Sequence, residues 1–128
     1  MLKIYHMPNS RSTRVIVAAE ELRIPYQIDL RRRSELKRAD LLAINPLGGA
    51  PAIEDGDVKM MESMAIVEYL LERYDTERRL TPAVGSPERP KYLQWLHFAE
   101  AMELVGPQNP VLHEILDVSA VERRLREP

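Results

Sequence analysis

The chain has 128 residues, of which 45% are hydrophobic and 30% are charged. This length and composition predict one folded domain, or a compact domain followed by a short helical segment. The formal net charge is −2, so overall charge does not favour nucleic acid or an anionic membrane as a partner.

The cysteine and histidine content narrows the chemistry. There is no cysteine, so protein-borne thiol chemistry is excluded and any sulfur must arrive with a ligand. The three histidines, His6, His97 and His113, show no metal-ligand spacing, and we assign no metal. No apolar run is long enough to span a membrane and the N-terminus is not typical of a signal peptide, so we expect a cytoplasmic protein.

The hydrophobic pattern of residues 2–30 predicts a strand, a helix and a second strand. Residues 2–7 are largely apolar and are stopped by Pro8. Apolar residues three and four apart then predict a helix over residues 12–22, with Ser10 or Ser12 placed to cap its start. Residues 26–30 alternate as a strand does. The segment has the size of a βαβ unit with parallel strands and a right-handed crossover.

Residues 31–74 predict a short helix, a hairpin and a longer helix. Three arginines at positions 31–33 precede a short helical piece that Asn45-Pro46 ends. We interpret the triplet as a solvated charged face; the alternative is that it attracts anionic substrates. Strands over residues 51–54 and 58–61 are joined by Asp55-Gly56, a hairpin turn signal. Ser63 is placed to cap the following helix, which has a clear apolar stripe.

Proline and glycine mark a linker over residues 79–87. Residues 88–104 then predict a helix with Trp95 in its apolar, core-facing stripe, and Asn109-Pro110 begin a further helix. The predicted organisation is therefore a first domain over residues 1–78, a linker over residues 79–87 and a partial all-α region over residues 88–128.

The most informative stretch is Gly-Gly-Ala-Pro at residues 48–51, followed by Glu62-Ser63 at the start of a helix. A proline between a Gly-rich turn and a strand is a candidate cis-peptide site. Such a turn leaves the backbone of Ala50 able to pair with an extended, peptide-like ligand. Glu62 adds a carboxylate, Ser63 a hydroxyl, and the helix start adds free N–H groups that bind a carboxylate. Together they predict a site for a small peptide that carries both charges.

Three segments carry a resemblance to a known family. Residues 5–15, 45–51 and 62–70, in a βαβαββα order, resemble the thioredoxin-like N-terminal domain of glutathione transferases. The resemblance runs almost continuously through the first two thirds of the chain, and residues 88–104 look like the first helix of the family's all-α C-terminal domain. It implies an α/β, thioredoxin-like βαβαββα fold followed by a short α-helical segment, a truncated form of that domain.

The resemblance also implies which residues bind glutathione. Pro51 would be the cis-proline, and the backbone of Ala50 would pair with the cysteinyl part of the tripeptide. Glu62 would face the γ-glutamyl ammonium, and Ser63 would face the γ-glutamyl carboxylate. Lys37 would be the partner of the glycyl carboxylate. Position 50 and the residue before it are smaller here than is usual in the family, which removes one side-chain contact to glutathione.

The same comparison implies that Ser10 hydrogen-bonds the glutathione sulfur. A free thiol has a pKa near about 8.5, and a hydroxyl donor beside a helix start favours the thiolate. Ser12, Asn9 and Tyr5 are the alternatives at this position, and Ser10 on its own is also typical of a simple helix cap.

The implied function is a glutathione transferase, acting as a homodimer, that activates glutathione for attack on a small hydrophobic electrophile. The alternative is a non-catalytic glutathione-binding or interaction module, because the family's later helices are absent from these residues. We expect a fragment, or a second copy or another protein that supplies the missing packing. Thioredoxin-type thiol–disulfide exchange is disfavoured by the lack of cysteine, and nucleic-acid binding rests only on the arginine triplet.

Overall fold

The computed structural model of the chain describes residues 1–105. The described elements are β1 (Leu2–His6), α1 (Ser12–Glu21), β2 (Tyr26–Leu30), α2 (Ala39–Leu42), β3 (Ala52–Asp55), β4 (Val58–Met61), α3 (Ser63–Tyr74) and α4 (Arg89–Val105). A 3-10 turn, Arg33–Glu35, precedes α2. The predicted βαβαββα order and the helix predicted over residues 88–104 are confirmed. The helix predicted from residue 109 lies outside the described residues.

The strands of the described part form one mixed sheet in the order β2-β1-β3-β4. β1 and β2 are parallel, as the βαβ pattern predicts. β3 runs antiparallel to β1 and pairs Ala52 with Tyr5, and β4 runs antiparallel to β3 and pairs Met61 with Ala52. The end of β1, the start of β3 and the end of β4 therefore lie at the same edge of the sheet. The loops that leave this edge bring together the segments that the sequence singled out.

The main core lies between one face of the sheet and helices α1 and α3. Leu2 and Ile4 point to this face because residues two apart in a strand share a side. Its buried members are Leu2, Ile4, Val15, Ala18, Ala19, Ile24, Ile53, Ile66 and Leu70. Tyr5 points to the opposite face, where a smaller cluster includes Leu36, Leu41 and Ala52.

The hairpin between β3 and β4 turns at Asp55-Gly56, as predicted. Gly56 adopts a φ of +62°, a conformation that glycine tolerates better than other residues. Asp55 is buried and accepts hydrogen bonds from the Tyr69 hydroxyl at 2.8 Å and the Tyr74 hydroxyl at 2.6 Å. These bonds join the end of β3 to Tyr69 and Tyr74 on α3, so they fix the position of the hairpin relative to this helix.

The interpretation of the arginine triplet as a fully solvated face is wrong for Arg31. This side chain is buried, and its Nη2 atom lies 2.9 Å from Asp29 and 2.7 Å from Asp40. Two carboxylates make the burial of a guanidinium tolerable, because a buried charge needs paired partners. Arg32 and Arg33 are exposed, as predicted.

The contact pattern divides the chain into two compact units, Met1–Arg89 and Pro90–Pro128. Most of α4 belongs to the second unit. Trp95, predicted in a core-facing stripe, is 56% exposed, so that prediction is wrong for the described residues. Its ring meets Phe98 edge-on, with centroids 5.5 Å apart, and Phe98 is also exposed. Of the helices described, none combines the length and the apolar character needed to cross a membrane.

Candidate functional site

The turn before β3 is held by the side chain of Asn45. Asn45 is 7% exposed, donates from Nδ2 to the Gly49 carbonyl at 2.9 Å and accepts at Oδ1 from the Leu47 N–H at 3.1 Å. Its own carbonyl accepts from the Gly48 N–H at 2.8 Å. The buried Asn45 amide thus hydrogen-bonds one carbonyl and one N–H of the turn, which fixes the path of the chain into β3.

Lys37 lies across this turn. Its Nζ donates to the Leu47 carbonyl at 2.7 Å. Gly48 has a φ of +63°, and a Cβ at this position would lie 2.6 Å from the Lys37 Cδ and 3.0 Å from the Leu36 carbonyl oxygen. The turn therefore needs glycine for two reasons, backbone conformation and lack of space. The Lys37 ammonium rests against the rim of the turn.

The backbone of Ala50 is uncommitted. Among the residues that the structure describes, neither its N–H nor its carbonyl makes a hydrogen bond. The Ala50–Pro51 peptide bond is cis, and Pro51 is buried against the start of β3. Because backbone polar groups need partners, an open N–H and carbonyl at one residue form a ready pairing site for an extended ligand.

The start of α3 supplies charge and further donors. Glu62 is exposed, has a φ of +77° and occupies the N-cap, so the prediction that Ser63 caps the helix is wrong. Ser63 is the first helical residue and is 3% exposed. The first bond of the helix runs from the Ile66 N–H to the Glu62 carbonyl at 2.9 Å. The N–H groups that precede it have no intrahelical acceptor and favour an anion.

These parts line one cleft of about 210 Å³. Its lining residues are Arg11, Asn45, Leu47, Gly49, Ala50, Pro51, Glu62 and Ser63. The cleft thus combines an open backbone pairing site, a carboxylate, a guanidinium and a helix N-terminus. This set matches an extended molecule that has peptide bonds, an ammonium and carboxylates. Four of the six predicted site residues line it together, namely Ala50, Pro51, Glu62 and Ser63. Ser10 and Lys37 lie outside its lining.

Ser10 belongs to a network of hydroxyls on the loop between β1 and α1. Its Oγ donates to the Met7 carbonyl at 2.7 Å and lies 2.6 Å from the Ser12 Oγ. The Ser12 Oγ in turn lies 2.8 Å from His6 Nδ1. The N-cap of α1 is Arg11, not a serine, although the Ser10 Oγ accepts from the Ser12 N–H at 3.3 Å. Ser10 is half-buried.

The three alternatives to Ser10 lie in different surroundings. Ser12 is fully buried within the network, and Asn9 is exposed with a φ of +56°. Tyr5 lies on the opposite face of the sheet, where its hydroxyl contacts Glu54 and accepts from Lys3 Nζ at 3.0 Å. Burial and the bond to Glu54 raise the pKa of Tyr5, so its phenol stays protonated at neutral pH.

A second, more open cleft of about 550 Å³ lies beside this loop. Its wall is formed by Met7, Pro8, Asn9, Leu30 and the three arginines at positions 31–33. Leu30 is 63% exposed, so the cleft offers apolar surface next to cationic side chains. Met7 connects this open cleft to the hydroxyl network, because it lines the cleft and its carbonyl accepts the hydrogen bond from Ser10.

The structure adds Arg11, Asn45 and His6 to the residues that the sequence singled out. Asn45 had a signal, because an asparagine before a proline and a Gly-rich turn is a common turn-forming residue. Arg11 and His6 had none, because only the folded arrangement brings them to this edge of the sheet. No group of three or more metal-ligating side chains occurs within residues 1–105.

Comparison with known proteins finds glutathione transferases. Glutathione S-transferase 3 of Schizosaccharomyces pombe is 35% identical over 102 residues, which cover 79% of this chain and 42% of that protein. The glutathione transferase URE2P8 of Phanerochaete chrysosporium, solved with oxidized glutathione, gives a TM-score of 0.69 at 32% identity over 76% of this chain and 46% of that one. A homolog from Lodderomyces elongisporus, solved with two GSH per subunit, gives 0.73 at 27% identity over 88% and 55%.

The chain thus spans about half the length of the relatives it matches. A model of the glutathione S-transferase N-terminal domain matches residues 4–78, which include the end of β1, the cis peptide bond and the whole of α3. Because that match covers more than half of the chain, the chain belongs to the glutathione S-transferase family.

Proposed function

We propose that the protein binds glutathione in the cleft between Ala50 and Glu62 and activates its thiol through Ser10 for attack on a small hydrophobic electrophile. The observation that carries the proposal is the open backbone of Ala50, placed in one cleft with Glu62 and the start of α3. Relatives solved with oxidized glutathione and with two GSH per subunit support the choice of ligand.

The tripeptide has a complement for each of its parts. The cysteinyl N–H and carbonyl pair with the carbonyl and N–H of Ala50. The γ-glutamyl ammonium faces the Glu62 carboxylate, and the γ-glutamyl carboxylate faces Ser63 and the first N–H groups of α3. The glycyl carboxylate lies toward Lys37, whose ammonium now donates to the Leu47 carbonyl and has further donors. Residues 1–78 form the glutathione-binding domain in this proposal.

Thiol activation requires a donor at the sulfur. A fall of about two units in the thiol pKa corresponds to roughly 2.7 kcal/mol of preference for the thiolate. One hydrogen bond from a hydroxyl to a charged group supplies about 1.5–3 kcal/mol, so Ser10 is sufficient in magnitude. The thiolate then forms a carbon–sulfur bond with the electrophile and, for an aryl halide, the halide leaves. The apolar wall of the cleft beside Met7 and Leu30 suits the electrophile.

The test is the rate at which the purified chain conjugates glutathione to a chromogenic aryl halide. Ser10→Ala should lower the turnover rate by about 10- to 100-fold, the kinetic equivalent of that hydrogen bond. Ser10→Thr keeps the hydroxyl and serves as the matched control, so it should retain most of the rate. Binding of glutathione without conjugation above the uncatalysed rate would show that the transferase proposal is wrong.

That result would favour the second candidate, a glutathione-binding or interaction module that does not catalyse. The exposed pair Trp95 and Phe98 supports this candidate, because large exposed aromatic side chains mark contact surfaces. Sedimentation velocity distinguishes a monomer from a homodimer, and we expect a homodimer. Cytoplasmic location and a role in detoxification remain part of the transferase proposal.

A further inference from the structure

We propose that Ser10, Ser12 and His6 form a proton relay that accepts the thiol proton of the bound tripeptide at His6 Nδ1. The inference rests on the proposed function, because it needs a thiol beside Ser10. In this arrangement Ser10 contacts the sulfur, whereas Ser12 and His6 are positioning residues that act through it.

The geometry of the relay is continuous. His6 ends β1, Ser12 begins α1, and Ser10 lies on the loop between them. The heavy-atom distances are 2.8 Å from His6 Nδ1 to the Ser12 Oγ and 2.6 Å from the Ser12 Oγ to the Ser10 Oγ. Ser12 is fully buried, so bulk water does not replace it as the link. Each step is within hydrogen-bond distance, as proton transfer requires.

The backbone limits which way the hydroxyl protons point. The Met7 N–H donates to the Ser12 Oγ at 3.2 Å, and the Ser12 N–H donates to the Ser10 Oγ at 3.3 Å. A hydroxyl has one proton to donate and accepts two hydrogen bonds. Each serine oxygen therefore has one acceptor position filled by the backbone, one acceptor position open and one proton to place.

With the thiol protonated, every hydrogen bond of the relay is donated in the direction from the sulfur to His6. The thiol S–H donates to the Ser10 Oγ, the Ser10 hydroxyl donates to the Ser12 Oγ, and the Ser12 hydroxyl donates to His6 Nδ1. Both serine oxygens then accept two hydrogen bonds and donate one, and His6 is neutral with its proton on Nε2.

With the thiolate formed, every hydrogen bond of the relay is donated in the opposite direction, from His6 to the sulfur. The sulfur proton moves to the Ser10 Oγ, the former Ser10 proton moves to the Ser12 Oγ, and the former Ser12 proton moves to His6 Nδ1. No covalent bond besides O–H, N–H and S–H changes, and no electron is gained or lost. His6 becomes an imidazolium, and the Ser10 hydroxyl now donates to the sulfur anion. In the free protein the Met7 carbonyl accepts from the Ser10 Oγ at 2.7 Å and lies 3.1 Å from the Ser12 Oγ, so the relay requires both hydroxyls to turn away from this carbonyl.

The charged groups around the relay come from the elements that flank it. Arg11 is the N-cap of α1, and Arg14 lies in its first turn. On the β2 side, the Arg31 N–H donates to the His6 carbonyl at 2.7 Å, while its guanidinium is engaged by two carboxylates. All of these groups stay in place in the variants below, so differences between variants report the relay itself.

The decisive experiment counts protons when reduced glutathione binds. Calorimetric titrations at about pH 7.5 lie above the ordinary pKa of an imidazole and below that of a thiol. Repeating them in buffers of different ionisation enthalpy gives the number of protons released, and ultraviolet absorbance gives the fraction of bound thiolate. In the wild type we expect thiolate to form with far less than one proton released, because the thiolate charge at the other end of the relay favours the imidazolium form of His6, which keeps the proton.

His6→Asn is the critical variant. The asparagine amide lies near the position of Nδ1 and keeps a hydrogen bond to Ser12, but it does not take up the proton. We expect a lower thiolate fraction, and about one proton released for each thiolate that forms. Ser12→Ala, which interrupts the chain, should give the same proton count, and Ser12→Thr should restore the wild-type count. Urea midpoints of each variant report whether it is folded.

Release of about one proton per thiolate by the wild type would overturn the relay, whatever the variants do, and would leave the proposed function intact. Equal proton counts in wild type and folded His6→Asn would also overturn it. Absence of bound thiolate in the wild type would overturn thiol activation and the relay together, and absence of any binding heat would overturn the proposed function as well.

Discussion

Gly48 offers a sharp test of how the turn before β3 is built. Its φ of +63° disfavours any residue with a Cβ, and the left-handed conformation costs an L-residue about 1–2 kcal/mol. An alanine Cβ would also lie 2.6 Å from the Lys37 Cδ and 3.0 Å from the Leu36 carbonyl oxygen. Loss of the Lys37 bond to the Leu47 carbonyl, when the lysine chain moves aside, costs a further amount of about 0.5–1.5 kcal/mol.

Gly56 is the matched control. Its φ is +62°, yet nothing lies within 4 Å of a Cβ built there. Gly56→Ala therefore carries the conformational cost alone, reduced by about 0.4–1 kcal/mol because alanine restricts the unfolded chain. We expect Gly48→Ala to lower the free energy of unfolding by about 1–2 kcal/mol more than Gly56→Ala. The difference isolates crowding at Lys37 and Leu36 from backbone strain.

Urea titrations of the two variants and the wild type measure the stability difference, with the slope of the transition as a check that unfolding stays two-state. Calorimetric titration with reduced glutathione measures the second expectation. Gly48→Ala displaces the turn that leads to Ala50 and should weaken binding, whereas Gly56→Ala, at the opposite edge of the sheet, should not. Equal losses of stability and unchanged affinity in both variants would refute the reasoning.

Three further predictions use the same chain. Asn45→Ala should lower the free energy of unfolding by about 1–3 kcal/mol in urea titrations, because two hydrogen bonds to the turn are lost; an unchanged midpoint would contradict its role. The Arg31 guanidinium lowers the pKa of Asp29 below its ordinary 3.8, so this stabilisation is complete above that value and is lost as pH falls through the lower folded value. Asp29→Asn should therefore flatten the acid limb of stability against pH, and an identical limb would contradict the pairing. Arg32→Gln should slow conjugation of a carboxylated aryl halide more than that of its neutral analogue; equal slowing would exclude a charge effect.

Much of the fold was predictable because its signals are local. The strand–helix–strand pattern of residues 2–30 and the Asp55-Gly56 turn each depend on residues that are neighbours in sequence. The helix that begins at Ser63 was also predictable from a local apolar pattern, but its N-cap was not. Glu62, with a φ of +77°, occupies the N-cap because the chain turns sharply out of β4, and no side-chain preference reports that turn.

Charge and burial were less predictable where partners come from afar. Arg31 was predicted to be part of a solvated triplet, yet it is buried and its guanidinium pairs with Asp29 and Asp40. Trp95 read as a core residue on the period of its helix, yet it is exposed in the described structure. Burial depends on what the rest of the chain places against a side chain, and a helical stripe reports only which residues share a face.

The sequence alone determined the elements of the candidate site: a Gly-rich turn into Pro51, an acid and a serine at a helix start, and a serine after the first strand. Only the tertiary structure decided that they meet. The antiparallel pairing of β3 with β1 and β4 brings three loops to one edge of the sheet, which places Arg11 and Asn45 in the cleft and His6 against Ser12. Hydrogen bonds between strands set these distances, and strand pairing joins residues that the sequence holds far apart.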